Sequence, residues 1–346
     1  MSASLQRLGA ELRSPLLVTD LVDILYLTGF ESSNAALLVR PGGDSTLYTD
    51  FRYIEVARDV PGVEVEMTKR AVLADVGPRL TGTVQFEADV LPYAQWEALS
   101  TGKAKLVPTT GVVDALRAVK DADEVAKIAR AARIADRALE ALTAETWVGR
   151  SERELAWRLH ELVHAHGADE LSFETIVAAG PNGALPHARP TDRIVEANTL
   201  VTVDWGVRVD GYCSDCTRTF ATGSLSGELA RAYEVCLAAQ QRACATIRAG
   251  MTGVEADAVA REPITEAGFG NNFGHGLGHG VGLLVHEAPR LSTESTDTLQ
   301  AGNVVTIEPG IYLEGVGGVR IEDLAVVRDE GVDLLTSFPK HLISVG

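Results

Sequence analysis

Two stretches of one pattern, Val201-Thr202-Val203-Asp204 and Val305-Thr306-Ile307-Glu308, decide how this chain of 346 residues is read. Each is a β-branched, apolar run of the kind that forms a buried strand, and each ends in an acid. Beyond each acid lies a turn signal, Asp210-Gly211 in the first copy and the glycines around Gly315 in the second, then a returning strand that carries another acid. Those second acids are Asp215 and Glu322. Each copy is preceded by a capping box, Ser151-Glu152-Arg153-Glu154 and Thr252-Gly253-Val254-Glu255, in which a hydroxyl and a carboxylate satisfy the first amides of a helix. Hairpin strands set residues equidistant from the turn side by side, so two such hairpins related by a pseudo-twofold would converge four carboxylates.

An ionised carboxylate at the end of a buried strand needs a partner, and Asp204 follows Leu200, Val201 and Val203. Taken singly, any of the four acids reads as a solvated turn residue or half of an ion pair. Taken together they do not, because independent accidents would not repeat strand, acid, turn and acid. The run Asn272-Phe273-Gly274-His275-Gly276-Leu277-Gly278-His279-Gly280-Val281-Gly282 adds imidazoles, and its glycines are expected to let the backbone approach a bound group closely. No Gly-Lys-Ser/Thr follows, so it does not read as a phosphate loop. His275 alone reads as structural. Four carboxylates and one imidazole suit two hard or borderline divalent ions such as Mn²⁺, Co²⁺ or Zn²⁺. Two ions sharing carboxylates lower the pKa of a water between them enough to yield hydroxide near neutral pH, which points to hydrolysis of an acyl bond.

Bulk properties are consistent with this. Hydrophobic residues make up 46% and charged residues 23%, ordinary for a folded soluble chain, and the length predicts two domains. A formal charge of −17 would repel nucleic acid and anionic membrane surfaces, so neither is expected as a partner. No segment approaches the roughly 20 apolar residues needed to span a bilayer. The first twenty residues carry Arg7, Glu11, Arg13 and Asp20 without an apolar h-region, so no signal peptide is expected. Four cysteines are too few for a secreted disulfide framework, which fits a cytoplasmic location. Cys213 and Cys216 flank Asp215, and one Cys-x-x-Cys without a second pair reads as strand packing.

Toward the N-terminus, Leu16-Leu17-Val18, Ala35-Ala36-Leu37-Leu38-Val39, the turn Pro41-Gly42-Gly43-Asp44 and Leu47-Tyr48 predict a small α/β domain. From Asp121 to Leu142 the sequence is Ala-rich with mixed charge and lacks Gly and Pro, which predicts a long helix. The domain border is placed near residue 119, giving domains 1–119 and 120–346.

These residues resemble the pita-bread metallopeptidases, a family that includes methionine aminopeptidases, Xaa-Pro aminopeptidases and prolidases. Leu17-Val18-Thr19-Asp20 and Tyr26-Leu27-Thr28-Gly29-Phe30 resemble the creatinase-type N-terminal domain of the proline-specific branch. Asp204-Trp205-Gly206 through Ser214-Asp215-Cys216-Thr217-Arg218-Thr219 is similar to the family's paired-aspartate hairpin. His279 and His286, Glu308-Pro309-Gly310 and Arg320-Ile321-Glu322-Asp323 complete the likeness. The resemblance implies an α/β (α+β) chain with a creatinase-type N-terminal domain and a pita-bread catalytic domain. It implies that Asp204 chelates one ion, that His279 and Glu308 chelate the other, and that Asp215 and Glu322 bridge them. Glu308 would also accept the proton of the attacking water.

His187 by itself reads as an exposed loop residue, but it matches the family's substrate-contacting histidine and would, with His286, stabilise the tetrahedral intermediate. Arg320, two residues from Glu322, is expected to share its face of one strand and to orient it. Trp205 stands where a smaller aromatic such as Phe is expected, which would reshape one wall of the site. Arg290, four residues after His286, would hold the free carboxylate of a dipeptide as an arginine fork can. That favours an Xaa-Pro dipeptidase over an Xaa-Pro aminopeptidase acting on longer peptides. Two further readings are a non-peptide amide hydrolase and a peptide-binding module without catalysis. The resemblance also implies Mn²⁺ as the first choice of ion, small proline-containing peptides as substrates and a homodimer.

Overall fold

In the first part of the chain the side chains of each strand alternate between two apolar layers, which is how a short run such as Leu16-Leu17-Val18 can be buried on both faces. Leu16, Val18, Leu37 and Val39 join one core cluster, whereas Leu17, Ala36, Leu38 and Tyr48 join another. The computed structural model describes residues 2–346 and divides the chain into two compact units, one up to Arg117 and one from Ala118 onward. The first unit holds a six-stranded mixed sheet made of β1 (Leu16–Val18), β2 (Ala35–Val39), β3 (Ser45–Thr49), β4 (Glu64–Met67), β5 (Thr83–Glu87) and β6 (Lys105–Thr109), in the order β4-β3-β2-β1-β5-β6. The Pro41-Gly42-Gly43-Asp44 turn joins β2 to β3, and both of its glycines have positive φ.

The second unit is built twice over. A helix at Ala122–Thr143 precedes one at Glu152–Ala165, and a helix at Gly227–Thr246 precedes one at Gly253–Glu266. The capping boxes expected at Ser151/Glu154 and Thr252/Glu255 both form, and Asp121/Glu124 makes a third at the head of the long Ala-rich helix. After the first helix pair come β7 (Glu170–Leu171), β8 (Ile176–Ala179), β9 (Leu200–Trp205), β10 (Val207–Val209), β11 (Tyr212–Cys213) and β12 (Cys216–Ala221). After the second come β13 (Gly278–Gly280), β14 (Glu287–Leu291), β15 (Val304–Ile307), β16 (Gly310–Leu313), β17 (Gly317–Arg320), β18 (Asp323–Arg328) and β19 (Gly331–Leu334). Each helix pair covers its own sheet and has its own apolar cluster, one centred on Trp147, Val203 and Phe220, the other on Cys236, Ile307 and Ile321.

Register aims the acids. Strands β9 and β12 run antiparallel with Asp204 opposite Thr217, and β15 and β18 pair with Ile307 opposite Asp323. Short inner hairpins, β10–β11 around Asp210-Gly211 and β16–β17 around Gly315, intervene between the outer strands. Glu308 and Glu322 thus leave adjacent strand ends together, while Asp215 lies two residues before Thr217, on the same side of the pleat.

Within the glycine-rich run, Gly278 and Gly280 let strands approach each other. A methyl group on Gly278 would sit 2.1 Å from the Thr306 carbonyl oxygen, and one on Gly280 would sit 2.1 Å from that of Ala288. His279 stands between them on a strand pressed against β14 and β15. Gly278→Ala should therefore force the strands apart and cost about 1–3 kcal/mol, seen as a lower urea midpoint at constant slope. An unchanged midpoint would mean that the contact yields freely.

Candidate metal centre

Asp204, Asp215 and Glu322 each offer a carboxylate oxygen, and the three atoms lie within 4.8 Å of one another. His279 Nε2 is 3.7 Å from Asp215 Oδ2 and 3.2 Å from Glu308 Oε1. All five residues singled out by the repeat and the glycine run therefore meet in one place, drawn from both halves of the second unit. Two atoms of this group, Asp204 Oδ1 and Glu322 Oε1, are buried without a hydrogen-bond partner. A buried carboxylate oxygen with no partner is costly, and two of them beside further acids are what a cation would satisfy. The donor set of oxygens and one imidazole nitrogen fits divalent ions of the hard or borderline kind.

The electrostatics agree. Burial pushes the Asp215 carboxyl well up, and the charges of Glu322 and Asp204 push it further. Burial likewise raises Glu322, assisted by Glu308 and Asp204. Asp204 is raised by burial against the pull of Arg320. Burial would raise Glu308 too, but the hydrogen bond and charge of His279, with His275 and Arg320 behind it, hold it at about 2. His279 moves the other way, because Glu308 overcomes the burial that would lower it. Glu308 is thus matched to His279, and the remaining acids resist ionising together until positive charge arrives.

A ring of hydroxyls holds these groups. Thr217 Oγ1 donates to Glu322 Oε2 at 2.7 Å, and Thr306 Oγ1 donates to Glu308 Oε1 at 3.1 Å while accepting the His279 amide at 3.0 Å. Both threonines are fully buried. The sequence carried a signal for them that was not used: Thr202 and Thr306 stand two residues before the acids Asp204 and Glu308, and Thr217 two after Asp215, which in a strand is the same face.

Arg320 is not on one strand with Glu322 as expected. It closes β17, whereas Glu322 precedes β18. Its guanidinium turns instead to Asp204 Oδ2 at 2.7 Å, Thr217 Oγ1 at 3.0 Å, the Tyr312 hydroxyl at 2.9 Å and the Pro186 carbonyl at 3.0 Å. It thereby anchors one acid and the segment before His187 at once. Tyr312 also bonds His275 Nε2 at 2.8 Å, and His275 Nδ1 faces the Gly276 carbonyl, so both nitrogens of this ring are engaged in a structural role.

Of the remaining expected residues, His286, His187 and Arg290 are exposed. His286 stands in the loop between β13 and β14 with its ring centroid 4.3 Å from that of His279. Burial and the charge of His279 lower its pKa. Arg290 is exposed on β14, and its guanidinium has no hydrogen bond or ion pair among the described residues. Trp205 does not form a wall of the site: it is fully buried in the core, with its indole N–H donated to the Ala135 carbonyl. Cys213 and Cys216 are free and buried, and Cys216 Sγ bonds the Glu322 carbonyl at 3.3 Å.

A duplicated α/β unit that gathers acids and a histidine at its seam is suited to hold divalent ions, and likeness to known proteins makes this one a metal-dependent peptidase. The chain belongs to metallopeptidase family M24, whose model matches residues 126–329, and residues 4–119 match the creatinase/prolidase N-terminal domain. It is 36% identical over 324 residues to an Xaa-Pro dipeptidase of Pyrococcus furiosus, covering 93% of each chain. Among solved structures it is similar to an Xaa-Pro dipeptidase from Bacillus anthracis, with 37% identity, a TM-score of 0.95 and 98% of each chain covered. It is also similar to an X-Pro aminopeptidase from Thermotoga maritima, with 34% identity, a TM-score of 0.89, and 99% of this chain and 100% of that one covered.

Two expectations follow from the geometry. Because Asp215 and Glu322 are raised in the metal-free protein and a divalent ion binds only their ionised forms, loading with Mn²⁺ should release protons. Apparent affinity should accordingly weaken as pH is lowered, which calorimetry in buffers of different ionisation enthalpy measures; pH-independent binding would contradict the assignment. Thr306→Val, which removes the hydroxyl shared by His279 and Glu308, should weaken Mn²⁺ binding roughly 10-fold.

Proposed function

We propose that the protein hydrolyses the Xaa-Pro bond of small peptides, chiefly Xaa-Pro dipeptides, using two divalent ions held by Asp204, Asp215, His279, Glu308 and Glu322. The reading is carried by the buried acid cluster with its two unpartnered oxygens. Its substrate class is supported by likeness, over more than nine-tenths of the chain, to proteins named Xaa-Pro dipeptidase. In this reading Asp204 serves one ion, His279 and Glu308 the other, and Asp215 and Glu322 both. Once bound, such ions supply Lewis acidity and make water a nucleophile near neutral pH. Mn²⁺ is the proposed ion, with Co²⁺ and Zn²⁺ as substitutes.

The chain's own side chains supply the rest. Glu308 would take the proton of the attacking water at its carboxylate. His187 and His286 flank the site from its exposed side, where ring N–H groups can donate to the substrate carbonyl and to the oxygen that gains charge as it is attacked. Arg320 touches no substrate and acts as a positioning residue, keeping Asp204 and the His187 segment in one frame. Arg290, exposed and carrying a guanidinium without a partner among the described residues, would pair with the free carboxylate of a dipeptide. We further propose that the metal centre belongs wholly to a catalytic domain at 120–346 following a separate domain at 1–119, and that the protein works as a cytoplasmic homodimer.

A panel of Xaa-Pro dipeptides and longer Xaa-Pro peptides, assayed with each ion, tests the reading. Dipeptides such as Ala-Pro or Met-Pro should be the better substrates, and EDTA should abolish turnover until Mn²⁺ is restored. Efficient cleavage of Xaa-Pro-Pro tripeptides without dipeptide turnover would make the enzyme an aminopeptidase and leave the metal centre intact. Arg290→Ala should raise KM for dipeptides roughly 10- to 100-fold, as loss of a charged hydrogen bond does, while KM for longer peptides stays level. An unchanged dipeptide KM would remove Arg290 from the clamp.

A further inference from the structure

Alternation along β12 sends Thr217 and Thr219 toward the acid cluster and Arg218 away from it, into the core. Arg218 has only 2% of its side chain exposed, and an arginine is seldom buried so deeply without several partners. It has them. Its guanidinium donates to the main-chain carbonyl of Glu322, to Asp323 Oδ1 at 2.9 Å, to the Phe338 carbonyl at 2.5 Å and to the Pro339 carbonyl at 3.0 Å. One side chain therefore links the backbone of Glu322 to a segment that follows the last strand.

That segment is fastened at several further points. Asp323, immediately after Glu322, accepts Lys340 Nζ at 2.6 Å, Gln240 Nε2 at 2.9 Å and the Thr336 hydroxyl at 3.0 Å. Tyr233 donates to the Lys340 carbonyl at 2.8 Å. The Phe338 ring lies 6.3 Å from Trp205, the neighbour of Asp204, and 6.0 Å from Phe220. Further on, the amide of Ala221 donates to Ile343 and that of Val345 donates to Ala221, each at 2.9 Å. The stretch 336–345 thus leans on residues adjacent in sequence to two of the acids, Asp204 and Glu322.

We propose that residues 336–345 are a working part of the metal centre: their docking, transmitted by Arg218 and the Asp323–Lys340 pair, sets the position of Glu322 and so the affinity for the ions. Arg218 and Lys340 are positioning residues, since neither reaches the acid oxygens. The inference rests on the proposed metal centre. Coupling of this kind is reciprocal: if docking of the segment strengthens metal binding, metal binding must strengthen docking by the same factor.

The test uses the full chain with Lys340→Met, which keeps the apolar stem and removes one charge from a side chain that is 22% exposed. Its Mn²⁺ dissociation constant should rise about 5- to 20-fold, within the range of ordinary coupling between sites. With Mn²⁺ saturating, kcat should recover and KM for a dipeptide should stay at the wild-type value. In the wild-type protein, Mn²⁺ should slow hydrogen exchange of the Ala221 and Val345 amides by a similar factor. Arg218→Lys should weaken Mn²⁺ binding further, and should it fail to fold, the Lys340 variant and the wild-type exchange experiment still decide. A lower melting temperature with an unchanged Mn²⁺ constant, or exchange indifferent to Mn²⁺, would overturn the coupling alone. A wild-type protein that binds no Mn²⁺, Co²⁺ or Zn²⁺ would remove the metal centre itself, and this inference with it.

Discussion

Asp204, Asp215 and Glu322 bring oxygens within 4.8 Å of one another inside the protein. Two like charges at that spacing repel by about 3–4 kcal/mol at an effective dielectric of about 20. The second unit manages this repulsion in stages. Arg320 offsets Asp204, His279 offsets Glu308, and Thr217 satisfies one oxygen of Glu322. Asp215 and Glu322 retain the largest upward push on their carboxyls, and they are also the acids proposed to be shared between ions. Affinity for cations is stored in the fold as repulsion that its own side chains only partly relieve.

Holding such a cluster needs walls that do not give way. The acids stand at strand ends, where register fixes their direction, and the strands are pressed together closely enough at Gly278 and Gly280 that no methyl group fits between them. The threonines around the cluster are buried and each serves two partners, so rotating one would disturb both. By contrast, His187, His286 and Arg290 sit on exposed segments, where a peptide can reach them. The groups that define the cluster are in the core, and those proposed to meet the substrate are at its edge.

Much of this was legible in the sequence because it is periodic or duplicated. The capping boxes, the Ala-rich helix at Ala122–Thr143 and the paired pattern of strand, acid, turn and acid all depend on local spacing. What escaped depends on contacts between distant segments. The placement of Arg320 follows from how β17 ends and β18 begins, which two residues of separation do not reveal. Trp205 was assigned to the wrong side because alternation alone does not say which face of β9 meets the core. The glycines were correctly read as points of close approach, but what approaches them is known only once β14 and β15 are in place.

The two halves of the second unit each have their own apolar cluster, yet neither has the whole set of acids. Asp204 and Asp215 come from one half, and His279, Glu308 and Glu322 from the other. With one half alone, Asp204 and Asp215 would lack the carboxylates and the imidazole that stand beside them, so on the proposed assignment an ion would find its full set of donors only where the two halves meet.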